Sequence, residues 1–85
     1  MAFQRSSKND VFLVRDPDGG IFNVVPIEGA RLVQGGVIST VRGGRVHHYI
    51  RVADPTLAAL YLDELVRVVE AFQAGQRVMP EWPVP

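Results

Sequence analysis

Residues 54–75 read DPTLAALYLDELVRVVEAFQAG, and both ends of that stretch carry helix punctuation. Asp54 accepts hydrogen bonds from the free N–H groups of a first turn, and Pro55 has the fixed φ that suits the first helical position. Gly75 supplies the left-handed residue that closes many helices. About twenty residues lie between them, roughly 30 Å of helix. At about 100° per residue, Leu57, Val68, Tyr61, Phe72, Leu65, Ala58, Val69, Leu62 and Val66 form one continuous apolar face. Asp63, Arg67 and Glu70 lie opposite, with Glu64 near the edge. Arg67 is within reach of Asp63 at i,i+4 and of Glu64 at i,i+3, pairs that contribute only tenths of a kcal/mol.

Upstream of the helix, VISTVR-GG-RVHHYIRV predicts a β-hairpin, with Gly43-Gly44 as a two-residue turn between strands Val37–Arg42 and Arg45–Val52. That turn sets Arg42 opposite Arg45, Val41 opposite Val46, Thr40 opposite His47, Ser39 opposite His48 and Ile38 opposite Tyr49. Alternation then gives two faces. Val37, Ser39, Val41, Val46, His48, Ile50 and Val52 form the side expected to meet the helix. Ile38, Thr40, Arg42, Arg45, His47, Tyr49 and Arg51 form the other.

Earlier still, VFLVR (Val11–Arg15) and IFNVV (Ile21–Val25) are rich in β-branched and aromatic residues. DPDGG between them presets a turn through Pro17, Gly19 and Gly20. Both strands are apolar on both faces, a pattern of strands covered on two sides. PIEGARLVQGG (Pro26–Gly36) is punctuated by Pro26, Gly29 and Gly35-Gly36, with a short strand expected over Arg31–Gln34. After the helix, QRVMPEWPVP interleaves three prolines with Val78, Met79, Trp82 and Val84, which excludes helix and central strand.

The expected fold class is α+β: an antiparallel sheet of four or five strands in hairpin order, packed on one long C-terminal helix. The expected organisation is a flexible N-terminal arm over residues 1–10, a single domain over 11–75, and a Pro-rich extended arm over 76–85. The strand-then-helix order is similar in outline to that of small single-strand-binding transcription cofactors, without a shared motif.

Composition bounds the function. The chain has 85 residues, 47% of them hydrophobic and 21% charged, which suits one folded domain. Nine basic residues balance nine acidic ones, so no net field drives it onto nucleic acid or an anionic membrane. The absence of cysteine excludes disulfides and thiolate chemistry. MAFQRSSKND lacks the apolar core of a secretion signal, and no apolar run is long enough to span a bilayer, so the expected location is cytoplasmic or virion-associated.

No catalytic, cofactor-binding or metal-binding constellation is legible. His47 and His48, adjacent in a regular strand, point to opposite faces and cannot share a metal. His48 opposite Ser39 reads as a buried histidine satisfied by a hydroxyl, with no acid evident beside it. Neither glycine pair leads into a helix with a phosphate-loop lysine. The expected activity is therefore non-enzymatic: a module that self-associates, or docks on a larger assembly as an accessory subunit (virion-like particles included), through apolar surface and terminal arms. Leu60, Tyr61, Phe72, Met79 and Trp82 are the expected interface residues. The alternative is a small nucleic-acid-binding module using Arg42, Arg45, His47, Tyr49 and Arg51, against which the balanced net charge argues.

Overall fold

The computed structural model describes residues 11–84, so the expected N-terminal arm over residues 1–10 lies outside the described residues. Five strands and one long helix follow in order: β1 (Leu13–Arg15), β2 (Ile21–Asn23), β3 (Gly29–Val33), β4 (Gly36–Thr40), β5 (Val46–Arg51) and α1 (Pro55–Gln73). The α+β class is as expected, but the single sheet is not. β1 and β2 form a two-stranded antiparallel sheet, and β3-β4-β5 form a separate antiparallel meander.

The reason for the division lies at the facing edges. The turn Val24–Ile27, closed by the Ile27 N–H on the Val24 carbonyl, carries Pro26 and takes the chain out of β2. On the other side, β5 carries a bulge. Ser39 pairs with His48, whereas the next residue of β4, Thr40, pairs with Val46, so His47 is left over. A bulged strand bends and loses regular pairing. Between the two sheets, His47 Nε2 donates to the Asn23 carbonyl at 2.8 Å, an imidazole standing where a ladder amide would stand in a continuous sheet.

The helix keeps every terminus signal of the sequence. Asp54 is the N-cap, its Oδ1 accepting from the Thr56 N–H at 3.0 Å, and Pro55 opens the first turn. At the far end Gly75 sits at φ +91°, with its N–H on the Phe72 carbonyl and the Gln76 N–H on the Ala71 carbonyl. That double bond is the Schellman closure.

The broad apolar face of α1 is divided between two neighbours. Ala58, Leu65 and Val68 join Val37, Ile50 and Val52 of the meander in one buried cluster with Phe12, Val14, Phe22 and Val24 of the first hairpin. Phe72 stacks on Phe12 at 5.6 Å between centroids, and Tyr61 meets the edge of Trp82, also at 5.6 Å. Residues 76–84 form no helix or strand and run back along α1 toward its N-terminus: Arg67 donates to the Met79 carbonyl, Glu64 accepts from the Glu81 N–H, and Trp82 reaches Tyr61. A face too wide for one sheet is thereby filled by a sheet on one side and a hairpin plus strap on the other.

Candidate functional site: the outer sheet face, the histidine pair and the tail

Register in the meander sets three rows on the face turned away from α1: Arg31–Ile38–Tyr49, Val33–Gly36–Arg51 and Gly29–Thr40–Val46. Tyr49 and Arg51 therefore lie where alternation set them. His47 loses its pairing with Thr40 to Val46, 59% exposed, and its ring reaches the Asn23 carbonyl. Arg42 and Arg45 do not face each other across a two-residue turn. Arg42–Gly44 form a single 3₁₀ turn, with Gly43 and Gly44 both at positive φ and the Val41 N–H bonded to the Arg45 carbonyl. The loop Arg42–Gly44 holds three residues rather than two, and the one-residue bulge at His47 takes up the mismatch. Arg31, two strands away from Tyr49, is the addition the sequence reading missed. Its signal was there: a strand expected from Arg31 onward fixes which of its residues share a face with Arg51, once the Gln34-Gly35 turn is recognised.

The Tyr49 ring is held in place on this face. Its Oη donates to the Gly35 carbonyl at 3.1 Å. A Cβ built on Gly36 would lie 3.2 Å from Tyr49 Cε1, and one on Gly35 would lie 3.0 Å from Oη, so the ring lies over the Gly35-Gly36 backbone. The residue as a whole remains 42% exposed.

Charge on the molecule is segregated in a way that the zero total conceals. Residues 29–52 contain Arg31, Arg42, Arg45 and Arg51 and no aspartate or glutamate. Among the described residues these four arginines make no side-chain hydrogen bond or ion pair, since the ion pairs formed are His48–Asp16 and Arg67–Glu64. Four guanidinium groups thus share one sheet and its connecting loop with no acid paired to them among the described residues.

The two histidines act together rather than apart. His48 Nε2 lies 3.1 Å from Asp16 Oδ2, and its ring stacks on Phe22 at 4.4 Å between centroids. His47 reaches the same hairpin at Asn23, so both imidazoles join the meander to β1-β2. The expectation that His48 is satisfied by Ser39 is corrected: its partner is Asp16, and Ser39 Oγ is buried without a hydrogen-bond partner. Asp16 was invisible as a partner because it lies 32 residues away, although DPDGG announces it as a turn former. Its Oδ1 accepts from the Asp18 and Gly20 N–H groups at 2.9 Å each, leaving Oδ2 for the imidazole. The order Ser39, His48, Asp16 has the residue types of a nucleophilic triad but not its access. Ser39 is 2% exposed, and the nitrogen that would serve an incoming group is committed to Asp16. No group of three or more metal-binding side chains occurs among the described residues.

The tail reads differently from an arm reaching outward. Trp82 Nε1 donates to the Arg15 carbonyl at 2.7 Å, and Arg77 Nη1 donates to the Val11 carbonyl at 3.0 Å. Both acceptors lie on the edge of β1 turned away from β2, so side-chain donors cap an edge that a further strand would otherwise occupy. The Arg77 guanidinium also sits over the Phe12 ring, 5.0 Å from its centroid. Glu64 is gripped by Arg67 at 2.6 Å and by the Glu81 N–H. The Arg67 hydrogen bond holds the Glu64 carboxyl below the usual glutamate range, against a smaller opposing effect of burial, and the Glu81 N–H adds to the lowering.

Of the expected interface residues, then, Tyr61 is buried, Phe72 and Trp82 are half-buried within the same chain, and Leu60 and Met79 remain exposed. Further apolar exposure lies on the first hairpin, where Val11, Leu13 (47%) and Ile21 (56%) point away from the core side occupied by Phe12, Val14 and Phe22. No protein-family model, curated protein or solved structure matches the chain. No helix among the described residues is long and apolar enough to cross a membrane.

Proposed function

We propose that the protein is a non-enzymatic interaction module that self-associates, or docks on a larger assembly as an accessory subunit, through the outward row of its first hairpin. The observation that carries this reading is the row itself. Leu13 and Ile21 are diagonal neighbours across β1-β2, both about half exposed, with Val11 continuing the line. Their strand neighbours Phe12, Val14 and Phe22 already fill the core. Strands apolar on both faces call for cover on both, and among the described residues only one face is covered. Leu60 and Met79 extend the apolar surface on the helix side, whereas Trp82, with its in-chain hydrogen bond to Arg15, belongs to the interior of the unit that associates.

Light scattering at micromolar concentration tests the reading. The expected mass is a multiple of the 9.4 kDa chain, falling toward the single chain on dilution. A mass of one chain throughout the concentration series, with no partner recovered on co-purification, contradicts it.

A further inference from the structure

We propose that the outer face of the meander is a binding site for single-stranded nucleic acid, with Tyr49 as a stacking platform between Arg31 and Arg51. This face is distinct from the first-hairpin row, so the inference stands apart from the self-association reading. Balanced total charge argued against such a site from the sequence. The structure weakens that objection, because no acid falls within the meander strands. The described acids lie in the first hairpin, at Glu28 just before β3, at the cap and along the helix, and in the tail.

Three observations converge. First, the face is complementary to a polyanion, since residues 29–52 hold four arginines and no acid, and none of the four is engaged within the described chain. Second, the aromatic ring is pre-organised. Bonded at Oη to Gly35 and seated over the Gly35-Gly36 backbone, it keeps one side for the protein and leaves the other exposed. A base stacking on it would pay little for ordering the ring. Third, the flanking charges sit at strand spacing. Arg51 follows Tyr49 on the same face of β5, about 7 Å along the strand, and Arg31 lies across Ile38 on the other side. A stacked base between two guanidinium groups that reach the adjoining phosphates is the recognition mode sheets use for single strands. A duplex hides its base faces and gains nothing from the ring. An acidic polypeptide would use the arginines but not the ring.

The test is fluorescence anisotropy with a labelled oligothymidylate of about 16 nucleotides, the upper end of what one small sheet domain covers, at low salt. Micromolar binding is expected. With the two strand arginines each neutralising one phosphate, log affinity should fall against log salt with a slope of about −1.4, and steeper than that if the Arg42–Arg45 loop joins. Arg31→Gln or Arg51→Gln, both at exposed positions, should each flatten the slope by about 0.7. Tyr49→Ala should weaken binding by about 5- to 150-fold, while Tyr49→Phe, which keeps the ring, should hold most of it. Circular dichroism of each variant separates loss of the site from loss of the fold. No binding below about 100 μM at low salt, weaker than ordinary non-specific affinity, overturns the proposal. So does equal binding by the duplex with no effect of Tyr49→Ala, or displacement by polyglutamate as effective as by unlabelled oligothymidylate. Light scattering on the same samples reports the oligomeric state separately, so failure here leaves the self-association reading untouched.

Discussion

A side chain as small as a methyl group at position 36 would place its carbon 2.0 Å from the Ile50 carbonyl oxygen, far inside van der Waals contact. The obstacle is backbone, which cannot swing aside as a side-chain end would. Gly36 opens β4 and pairs with Arg51, so any relief must separate β4 from β5 where Val37 and Ile50 enter the core. Gly36→Ala should therefore destabilise by about 2–3 kcal/mol, at the upper end of overpacking costs, readable as a lower denaturant midpoint with an unchanged slope. The same glycine carries the Tyr49 ring, so residue-scale sterics reach the candidate site directly. Gly43 and Gly44, by contrast, would present an added Cβ to open space, although both adopt positive φ. Glu64 acts on a different axis. Its carboxyl is held below the usual glutamate range mainly by Arg67, so the stabilisation is complete above the ordinary glutamate value and is lost as pH falls through the lowered one. Acidification through that window should release the strap, seen as a shift of Trp82 emission toward that of exposed indole. In Glu64→Gln the acid-dependent step should shrink, because the titrating group is gone.

At the scale of elements, the helix was fully legible and the sheet was not. Asp54, Pro55 and Gly75 mark their boundaries by local chemistry alone, and each does in the structure what its residue type predicts. The DPDGG turn was legible for the same reason, with strands shorter than the apolar runs that contain them. The second hairpin was legible where Val37–Ser39 pair with His48–Ile50 and misread toward its turn. Ser39–His48 and Ile38–Tyr49 pair as expected, but the His47 bulge shifts the register at Thr40, and with it the faces of Val46 and His47. A two-residue Gly-Gly turn and a longer loop with a bulge share the same alternation up to the point where they part. The way the two sheets meet depends on contacts between distant residues, Asn23 with His47 and Asp16 with His48, for which a single sequence has no local signal. The strap was legible as extended, proline-rich chain, whereas its course back along α1 has no local signal in the sequence. Since Trp82 packs on Tyr61 and bonds to Arg15, truncation after Gln76 should lower the stability of the single chain itself. For Trp82→Ala, half-buried, the expected loss is about 1.5–3 kcal/mol, below the range for a fully buried tryptophan, with a thermal midpoint lowered by several degrees. A tail acting only between subunits would instead leave the stability of dilute protein unchanged.

For the molecule as a whole, the distribution of surface matters more than its sum. Apolar residues that seemed in surplus on the helix are largely covered within the chain by the hairpin and strap. Of the apolar residues left exposed, Val11, Leu13 and Ile21 share the outward row of β1-β2, while Leu32, Val46, Leu60, Val66, Met79 and Val84 lie elsewhere on the surface. Charge follows the same pattern, with zero overall and an acid-free meander opposite the helix. On the proposed function, the outward row of the first hairpin is where chains meet. Leu13→Thr with Ile21→Thr tests it most directly, because threonine keeps strand preference while removing the apolar contact. Sedimentation of this double variant beside the unaltered protein, at one micromolar-range concentration and with matching circular dichroism, is the measurement. An oligomer is expected for the unaltered protein and a single 9.4 kDa species for the variant. An unaltered protein that sediments as a single chain, or a variant that sediments as the same oligomer, contradicts it.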